Sequence, residues 1–575
     1  MPENFYEKNN IVEKDKTYEY DFSPLFESLN LEAQERYLIE PFFTNLDRPV
    51  FAVPFLPPEI IGALCSRTSR AKDDLRVIFL NEFVKSFLED GSEYGTSLKN
   101  LIDFLHQNPI ENIFSNPRAR EFYIKWLAQY GDDSIAQMAG THLVFSGISQ
   151  VAIKHWEDQR IGLAPIEKST RYVDYSSKIA GRYRYYTDPT LEKMGLIDEY
   201  QQAMDNLFIT YTKLTQEFFD FLRKKYPDEK ELVLRTKTFD TLRGILPSST
   251  LSRVSFFGNG QAFEYAISRA KRHNLGEIRW TAEQAKAELE KVVPAFLRRL
   301  DSEETQNYQV YLGERRQRIR RAISDFNFGI EPKKEIPNFE VKLISYDPDG
   351  ENKVIAGLIY ETTHESFESI LEKVRRMSQD EKEKILAQAI YGRTKRFYKV
   401  PRGFEMADLC FEIVMNIGAW RDLHRHRMHT QMRQNWSVYH GFDIPEELKE
   451  SGLAQKFESA IRQVEDVFLK IEKHNPDLAQ YATTLAHRLR FLQKQNMRAF
   501  FWETELRTIP AGHPDYRRVE QEKVRLVRNI YPLLTKYLLA DMNQYDFARR
   551  GAEEQARAKE EELKNYFQNL GAKNN

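Results

Sequence analysis

Two stretches in opposite halves of the chain, HLVFSGISQVAIKHW (142–156) and LCFEIVMNIGAWRDLH (409–424), are comparable apolar segments that each run into a polar loop. A repeat of this kind constrains the fold more than any other feature, because each copy must form the same packing unit and cover the same apolar surface. Two tandem modules are therefore expected. Both segments read as helical, and Asp133 and Ser134 stand where they could cap a long first helix. At 575 residues the chain exceeds what one core usually supports and is long enough for two. Between the halves, SDFNFGIEPKKEIPNFE has the Pro, Gly and Lys content of a linker and sets a boundary near residue 335.

The loop after the second apolar segment, HRHRMHTQMRQNWSVY (424–439), concentrates three arginines and three imidazoles. Arg425, His426 and Arg427 in succession cannot share one helix face unless the helix ends there. A helix-to-loop junction bearing guanidinium forks suits a phosphate, a carboxylate or the anionic edge of a cofactor. Taken alone, such a triplet is also compatible with a solvated basic turn. The imidazoles invite a metal, yet no acidic or cysteine ligand lies at a clear metal-site spacing.

Composition removes other classes. A formal net charge of -2 gives no global basic field for nucleic acid. Cys65 and Cys410 are the only cysteines, which points to a reducing compartment and away from a disulfide framework or a cysteine-rich zinc site. The opening MPENFYEKNN has no basic-then-apolar signal, and no apolar run approaches membrane-spanning length, so a soluble cytoplasmic protein is expected. The run ERRQRIRRA (314–322) could touch RNA, although a solvated helix face or an ion-pair network between modules is the plainer reading.

In chain order, residues 1–48 read as a charged extension, 49–334 as the first module, 335–545 as the second and 546–575 as a charged helix, solvated or dimerising. PPEIIGALCSRTSR reads as a helix opened by proline, and helical periodicity continues through LRVIFLNEFVKSFLED and REFYIKWLAQYG. FEVKLISYDPDGENKVIAGLIYETT suggests a strand, a turn and a helix.

Arg425, His426 and Arg427, with Thr430 five residues after the first of them, resemble the front of the flavin-dependent thymidylate synthase signature, R-H-R-x-x-S-x-x-x-x-S-x-R. Asn435 and Ser437 stand where its second Ser and final Arg belong. The missing back occurs in the first half: Ser169, Thr170, Arg171 and Tyr172 resemble S-x-R-Y, with Glu167 two residues before. Counting back from Ser169 puts Gln159, Arg160 and Ile161 at R-H-R. A later family segment, R-x-x-L-P followed by N-x-R and a final Arg, divides likewise. Arg243 and Asn259 match in the first half, where Gln261 and Ala270 replace the two later arginines. In the second half Asn496, Arg498 and Arg507 match and Gln480 replaces the R-x-x-L-P arginine.

The resemblance implies an α+β fold of two helix-rich modules with one composite site. The first module would supply Glu167, Ser169, Arg171 and Arg243 to the phosphate of dUMP. The second would supply Arg425, His426, Arg427, Asn496 and Arg498 to FAD, Arg425 also to the nucleotide, and Arg507 to polarise the uracil as the catalytic group. The implied reaction is reductive methylation of dUMP to dTMP with methylenetetrahydrofolate, FAD and NADPH, in a homodimer that reproduces the family's four-module assembly, with no nucleic acid or membrane partner. Departures exist as well. The family's G-H-E histidine position holds Asp132 and Val400, and its E-H pair reads Gln137-Met138 and Glu405-Met406. The rival reading is a non-catalytic nucleotide- or flavin-binding homologue.

Overall fold

In the computed structural model of the chain, the described residues are 20–89, 93–109, 134–324, 336–547 and 559–566, with a few single positions between 117 and 125 and at 326. Asp132, Asp133 and most of REFYIKWLAQYG lie outside them, as does most of the expected linker.

Each half builds a four-stranded antiparallel sheet. In the first, β1 (Val50–Val53), β2 (Gly140–Ser149), β3 (Leu163–Glu167) and β4 (Leu251–Asn259) are arranged β1-β2-β4-β3. In the second, β5 (Val341–Tyr346), β6 (Asp408–Asn416), β7 (Thr430–Arg433) and β8 (Arg488–Asn496) follow the same order, β5-β6-β8-β7. The chain is thus an α+β protein of two tandem modules. Both inner strands of each sheet run into a helix: β2 into α1 (Gln150–Glu157), β4 into α2 (Gly260–Lys271), β6 into α3 (Ile417–Leu423) and β8 into α4 (Met497–Arg507).

One residue does the same work at all four junctions. Ser149, Asn259, Asn416 and Asn496 end their strands, and each side-chain oxygen accepts the backbone N–H of the alanine three positions on, Ala152, Ala262, Ala419 and Ala499. A cap of this kind contributes about 1 kcal/mol, and here it also fixes where extended backbone gives way to helix. These caps correct the single helix expected for each apolar segment. HLVFSGIS and LCFEIVMN are central strands, the first buried on both faces along most of its length and the second from Ile413 onward, so their apolar runs lack the full alternation that marks a half-exposed strand. The helix from Ser134 extends only to Met138. The strand, turn and helix expected after residue 339 are present as β5 and the helix Gly350–Tyr360.

A layer from Ile39 to Leu105 covers the outer face of the first sheet through Phe51, Val53 and Val144. The rest of the core is one continuous cluster running from Val50 to Phe547 through both modules. The modules therefore bury each other's apolar surface and place their loops face to face.

Candidate active site

The modules meet along a local two-fold. Ser248 N–H donates to Thr483 O at 2.8 Å and Leu485 N–H donates to Leu246 O at 2.9 Å, flanking the bridge between Pro247 and Thr484. Since β4 and β8 are equivalent strands, Leu246 corresponds to Thr483 and Ser248 to Leu485, so the two bonds exchange under the symmetry. This contact brings Arg243 over the start of α3. A Cβ on Gly418 would stand in ordinary contact with Arg243 Nε at 3.5 Å and tightly against Leu485 O at 3.3 Å, so the two modules approach closely here. Arg243 is buried, lies 3.6 Å from Asp422 and leaves its Nη2 without a hydrogen-bond partner.

Asp422 is the point where both half-sets meet. Burial alone would raise its pKa, but the guanidinium groups of Arg243, Arg171, Arg507 and Arg425 outweigh burial and hold it well below the usual carboxylate range. Two of those arginines come from each module. Arg171 itself forms a two-pronged pair with Asp240, at 2.6 and 2.7 Å, with both side chains about one-tenth exposed. Glu167, at the end of β3, is equally shared: it takes Lys154 Nζ at 2.8 Å from its own module, and from the second module it takes Arg421 and, at 3.5 Å, Arg425. Burial acts to raise the Glu167 pKa, and Arg421 and Lys154 prevail and lower it. Ser169 donates its backbone N–H to Ser69 O at 2.9 Å, and its Oγ accepts the Arg171 N–H at 3.2 Å, which stiffens the loop bearing Arg171.

The R-H-R stretch begins where α3 ends, with His424 as the last helical cap. The three side chains therefore leave a turn in different directions. His424 Nε2 pairs with Asp158 at 2.8 Å, and Arg160 of the first module donates to the carbonyls of His426 and, at 2.5 Å, His429. Arg507 Nε donates to His426 Nε2 at 2.7 Å. Burial pushes His426 down to about 3, so near neutral pH its imidazole is uncharged and can accept that bond. Arg425, His426, Arg427, Trp502 and Arg507 line a recess of about 270 Å³. On the other side of Arg243 opens a cavity of about 1040 Å³ between the modules, walled by Arg70, Tyr172, Asp240, Phe442 and Arg518 among others.

The structure thus brings Glu167, Arg171, Arg243, Arg425, His426 and Arg507 into one junction. Arg427 lines both the R-H-R recess and a first-module recess beside Gly140, Phe257 and Asn259. Asn496 and Arg498 stand apart, on a smaller cavity; Asn496 caps α4, and Arg498 binds Val400 O at 3.0 Å and Glu405 at 2.9 Å. The first-module counterpart of R-H-R also needs correction. Ser149 and Asn416 are equivalent caps, and counting from them sets Asp158, Gln159 and Arg160 opposite Arg425, His426 and Arg427, one residue earlier than the count from Ser169. The extra residue is absorbed where Arg160 and Gly162 take positive φ, 53° and 81°. Motif matching missed the partners of the motif residues: Asp158 on His424, Asp240 on Arg171 and Asp422 beside Arg243, with Lys154 and Arg421 on Glu167. Lys154 and Arg421 occupy equivalent positions on α1 and α3, a signal that aligning the two apolar segments would have exposed.

A family profile described as thymidylate synthase complementing protein matches the chain twice, over residues 94–295 and 342–533. The chain belongs to this family. The two matches follow one another as a tandem duplication, in agreement with the two sheets. Similar proteins include one of Chlamydia muridarum (strain MoPn / Nigg), described as a UPF0159 protein and 34% identical over 538 residues, which are 91% of this chain and 98% of that one. A Chlamydia pneumoniae protein described in the same terms is 32% identical over 90% of this chain and 97% of its own. UPF0159 protein Ta1429 of Thermoplasma acidophilum is 28% identical over 86% and 97%.

Within this duplicated family architecture, the second copy of the arginine site is changed. By the β4/β8 equivalence Asp477 corresponds to Asp240 and Gln480 to Arg243, while Ser437 takes the place of Arg171. Asp477 accepts instead from Asn435 at 2.8 Å and Asn274 at 2.7 Å, and Arg320 lies 3.6 Å away. Arg316 donates to Asn435 Oδ1 at 2.5 Å. Both arginines belong to the ERRQRIRRA run on the first module's last helix, Glu303–Ser324, so that run forms inter-module contacts.

Proposed function

We propose that the junction is a composite nucleotide site and that the chain is a flavin-dependent thymidylate synthase-like enzyme, converting dUMP to dTMP with methylenetetrahydrofolate as the one-carbon donor and NADPH as the reductant. The observation that supports it most is Asp422, beside which the first module's Arg171 and Arg243 meet the second module's Arg425 and Arg507. In this cluster the cations Lys154, Arg171, Arg243, Arg421, Arg425 and Arg507 face the carboxylates Glu157, Glu167, Asp240 and Asp422. The cationic excess suits a dianionic phosphate. Arg243 has a buried N–H with no partner, which a phosphate oxygen would satisfy without breaking an existing bond.

Arg507 is the candidate catalytic group. Its Nε is held by neutral His426, which fixes the plane of the guanidinium and leaves the terminal N–H groups to face the uracil carbonyl, where negative charge grows. His426 is then a positioning residue. FAD fits the second-module recesses by donor chemistry: Arg425, His426 and Arg427 line one, and Arg498 and Asn496 line another that shares Met428, Ala499 and Trp502 with it. When bound, it would supply the hydride. The protein's own part is to bind, orient and polarise. A homodimer of the chain would assemble four modules.

The test is a visible spectrum of the protein with FAD, before and after dUMP, with two variants. Arg171→Ala is expected to weaken dUMP binding with flavin retained, and Arg427→Ala to loosen flavin with dUMP affinity kept. No flavin band under any condition favours the non-catalytic nucleotide-binding reading. Equal effects of both variants on both ligands overturn the division of labour.

A further inference from the structure

We propose that Glu503, Lys523 and Glu520 form a proton-holding site beneath the R-H-R turn, which takes up a proton from solvent when an anion enters the recess above it; the recess as an anion site rests on the flavin reading given above. Lys523 Nζ lies 3.1 Å from Glu503 and 3.0 Å from Glu520, and none of the three side chains is more than 1% exposed. Gln493 donates to Glu503 Oε2 at 2.7 Å, whereas Glu503 Oε1 has no hydrogen-bond partner. Among the described residues Glu503 is also the one carboxylate on the wall of the recess that Arg425, His426, Arg427 and Arg507 line. It therefore joins the buried triad to that recess.

The first module shows that the fold does not require these charges. Asp515 bonds the cap Asn416 as Glu277 bonds the equivalent cap Ser149, which sets the helices Pro514–Ile530 and Gly276–Leu289 in register. In that register Glu520 corresponds to Ala282 and Lys523 to Ala285. By the β4/β8 equivalence Glu503 corresponds to Ala266 and Gln493 to Phe256, and all four first-module residues are buried. Buried ionic groups are costly beside apolar packing. Their presence in the copy that carries R-H-R, and not in the other, points to a use at the recess.

An ammonium between two buried carboxylates favours one ionised and one protonated partner, since one cation cannot offset two negative charges. Burial pushes Glu520 up to about 8, with Glu503 adding to the rise and Lys523 and Arg507 opposing it. Burial would raise Glu503 as well, but Lys523, His429 and His426 hold it below the ordinary carboxylate range. Arg160 of the first module is the other charge facing Glu503. Near neutral pH the proton thus resides on Glu520, and an anion in the recess, adding negative charge beside Glu503, makes the triad bind it more tightly. The conversion proposed above consumes one proton with the hydride of NADPH: dUMP, methylenetetrahydrofolate, NADPH and a proton give dTMP, tetrahydrofolate and NADP+. A proton stored at the recess serves that balance.

Two measurements on the full chain test it, with Glu520→Gln as the variant because its amide oxygen still accepts from Lys523. Infrared difference spectra between about pH 6 and about pH 10 should show a protonated-carboxyl band that Glu520→Gln removes. Calorimetric titration with FAD at about pH 8, in HEPES and in Tris, reads proton uptake from the difference in heat; about 0.4 proton per FAD is expected for a one-unit rise in the Glu520 pKa, and close to none in Glu520→Gln. A carboxyl band unchanged by Glu520→Gln overturns the proposal whether or not FAD binds. Equal proton uptake in wild type and variant overturns it as well. A band that the variant removes, in a protein that fails to bind FAD, supports the proton site while the flavin reading falls, so the two readings fail separately.

Discussion

Replacing Asp240 by Asn tests whether Arg171 is held in reserve for an anion or is simply structural. The pair is two-pronged at 2.6 and 2.7 Å and nearly buried. Removing one charge from such a pair costs about 3–5 kcal/mol, and Asn retains one hydrogen bond to Arg171, which offsets about 1 kcal/mol of that. A loss of about 2–4 kcal/mol in unfolding free energy is expected near pH 7, read as a lower urea midpoint at unchanged slope. Burial raises and Arg171 lowers the Asp240 pKa, with Arg171 prevailing, so its folded value lies below the unfolded one. The stabilisation is therefore present above about pH 4, and the gap between wild type and variant should close as the medium is acidified below that. Binding should move the other way. With the competing carboxylate gone, dUMP affinity is expected to rise about fivefold, while deoxyuridine, which has no phosphate, is unaffected. Calorimetric titration of both ligands reads this directly. A stability change under 0.5 kcal/mol, or weaker dUMP binding, refutes the view that Asp240 and the phosphate share Arg171.

Three further outcomes are expected. Glu277, which accepts from Ser149 N and Oγ and from Tyr481 across the junction, is pushed up to about 7 by burial. Because its folded value exceeds the unfolded one, stability should fall from about pH 4.5 to 7 by about 3 kcal/mol and then level off, and Glu277→Gln should flatten that slope in urea midpoints taken across pH. The double variant Arg316→Ala/Arg320→Ala should cost about 1–2 kcal/mol by thermal unfolding without changing dUMP affinity or its stoichiometry of one per chain. His426→Ala should lower kcat by about tenfold or more at little change in KM, because it frees Arg507 without removing it.

Half of the site was legible in the sequence because recognition chemistry is carried by short motifs. Arg171, Arg243, Arg425, His426 and Arg507 could be named from the resemblance of short stretches to family motifs, and the structure gathers them. The carboxylates that hold them could not, since Asp240 and Asp422 belong to no motif and acquire partners only when segments far apart in the chain meet, within the first module for Asp240 and across the modules for Asp422. The strand content was obscured for a related reason. Alternation is a signature of one buried face, and β2, with β6 from Ile413 onward, is buried on both and presents the continuous apolar run that a core helix also shows. Ser149 and Asn416 would have broken the ambiguity: a capping residue in the middle of an apolar run, followed three positions later by Ala, marks a helix start rather than its interior.

The two copies of the junction show why loss of one set of motif arginines had to be accompanied by gain elsewhere. A carboxylate at the Asp240 position is buried by the module contact itself, in both copies, and a buried unpaired charge is costly. In the first copy the motif loop supplies the counter-charge, Arg171. In the second that loop position is Ser437, and the burden passes to Asn435, Asn274 and Arg320 around Asp477. Burial raises the Asp477 pKa while the hydrogen bonds from Asn274 and Asn435 and the charges of Arg320 and Arg316 bring it below the ordinary value, so the replacement set is sufficient to keep it ionised. Those arginines reach it from a helix of the opposite module and end in contact with Asn435 and Asp477. The first copy differs in one respect that matters for ligands: Arg243 retains an unsatisfied buried N–H, whereas Gln480, at the same position, spends its amide on Asp477 O and the Trp436 N–H. An unsatisfied buried donor at Arg243, where Gln480 leaves none, supports the proposal of a single nucleotide site per chain.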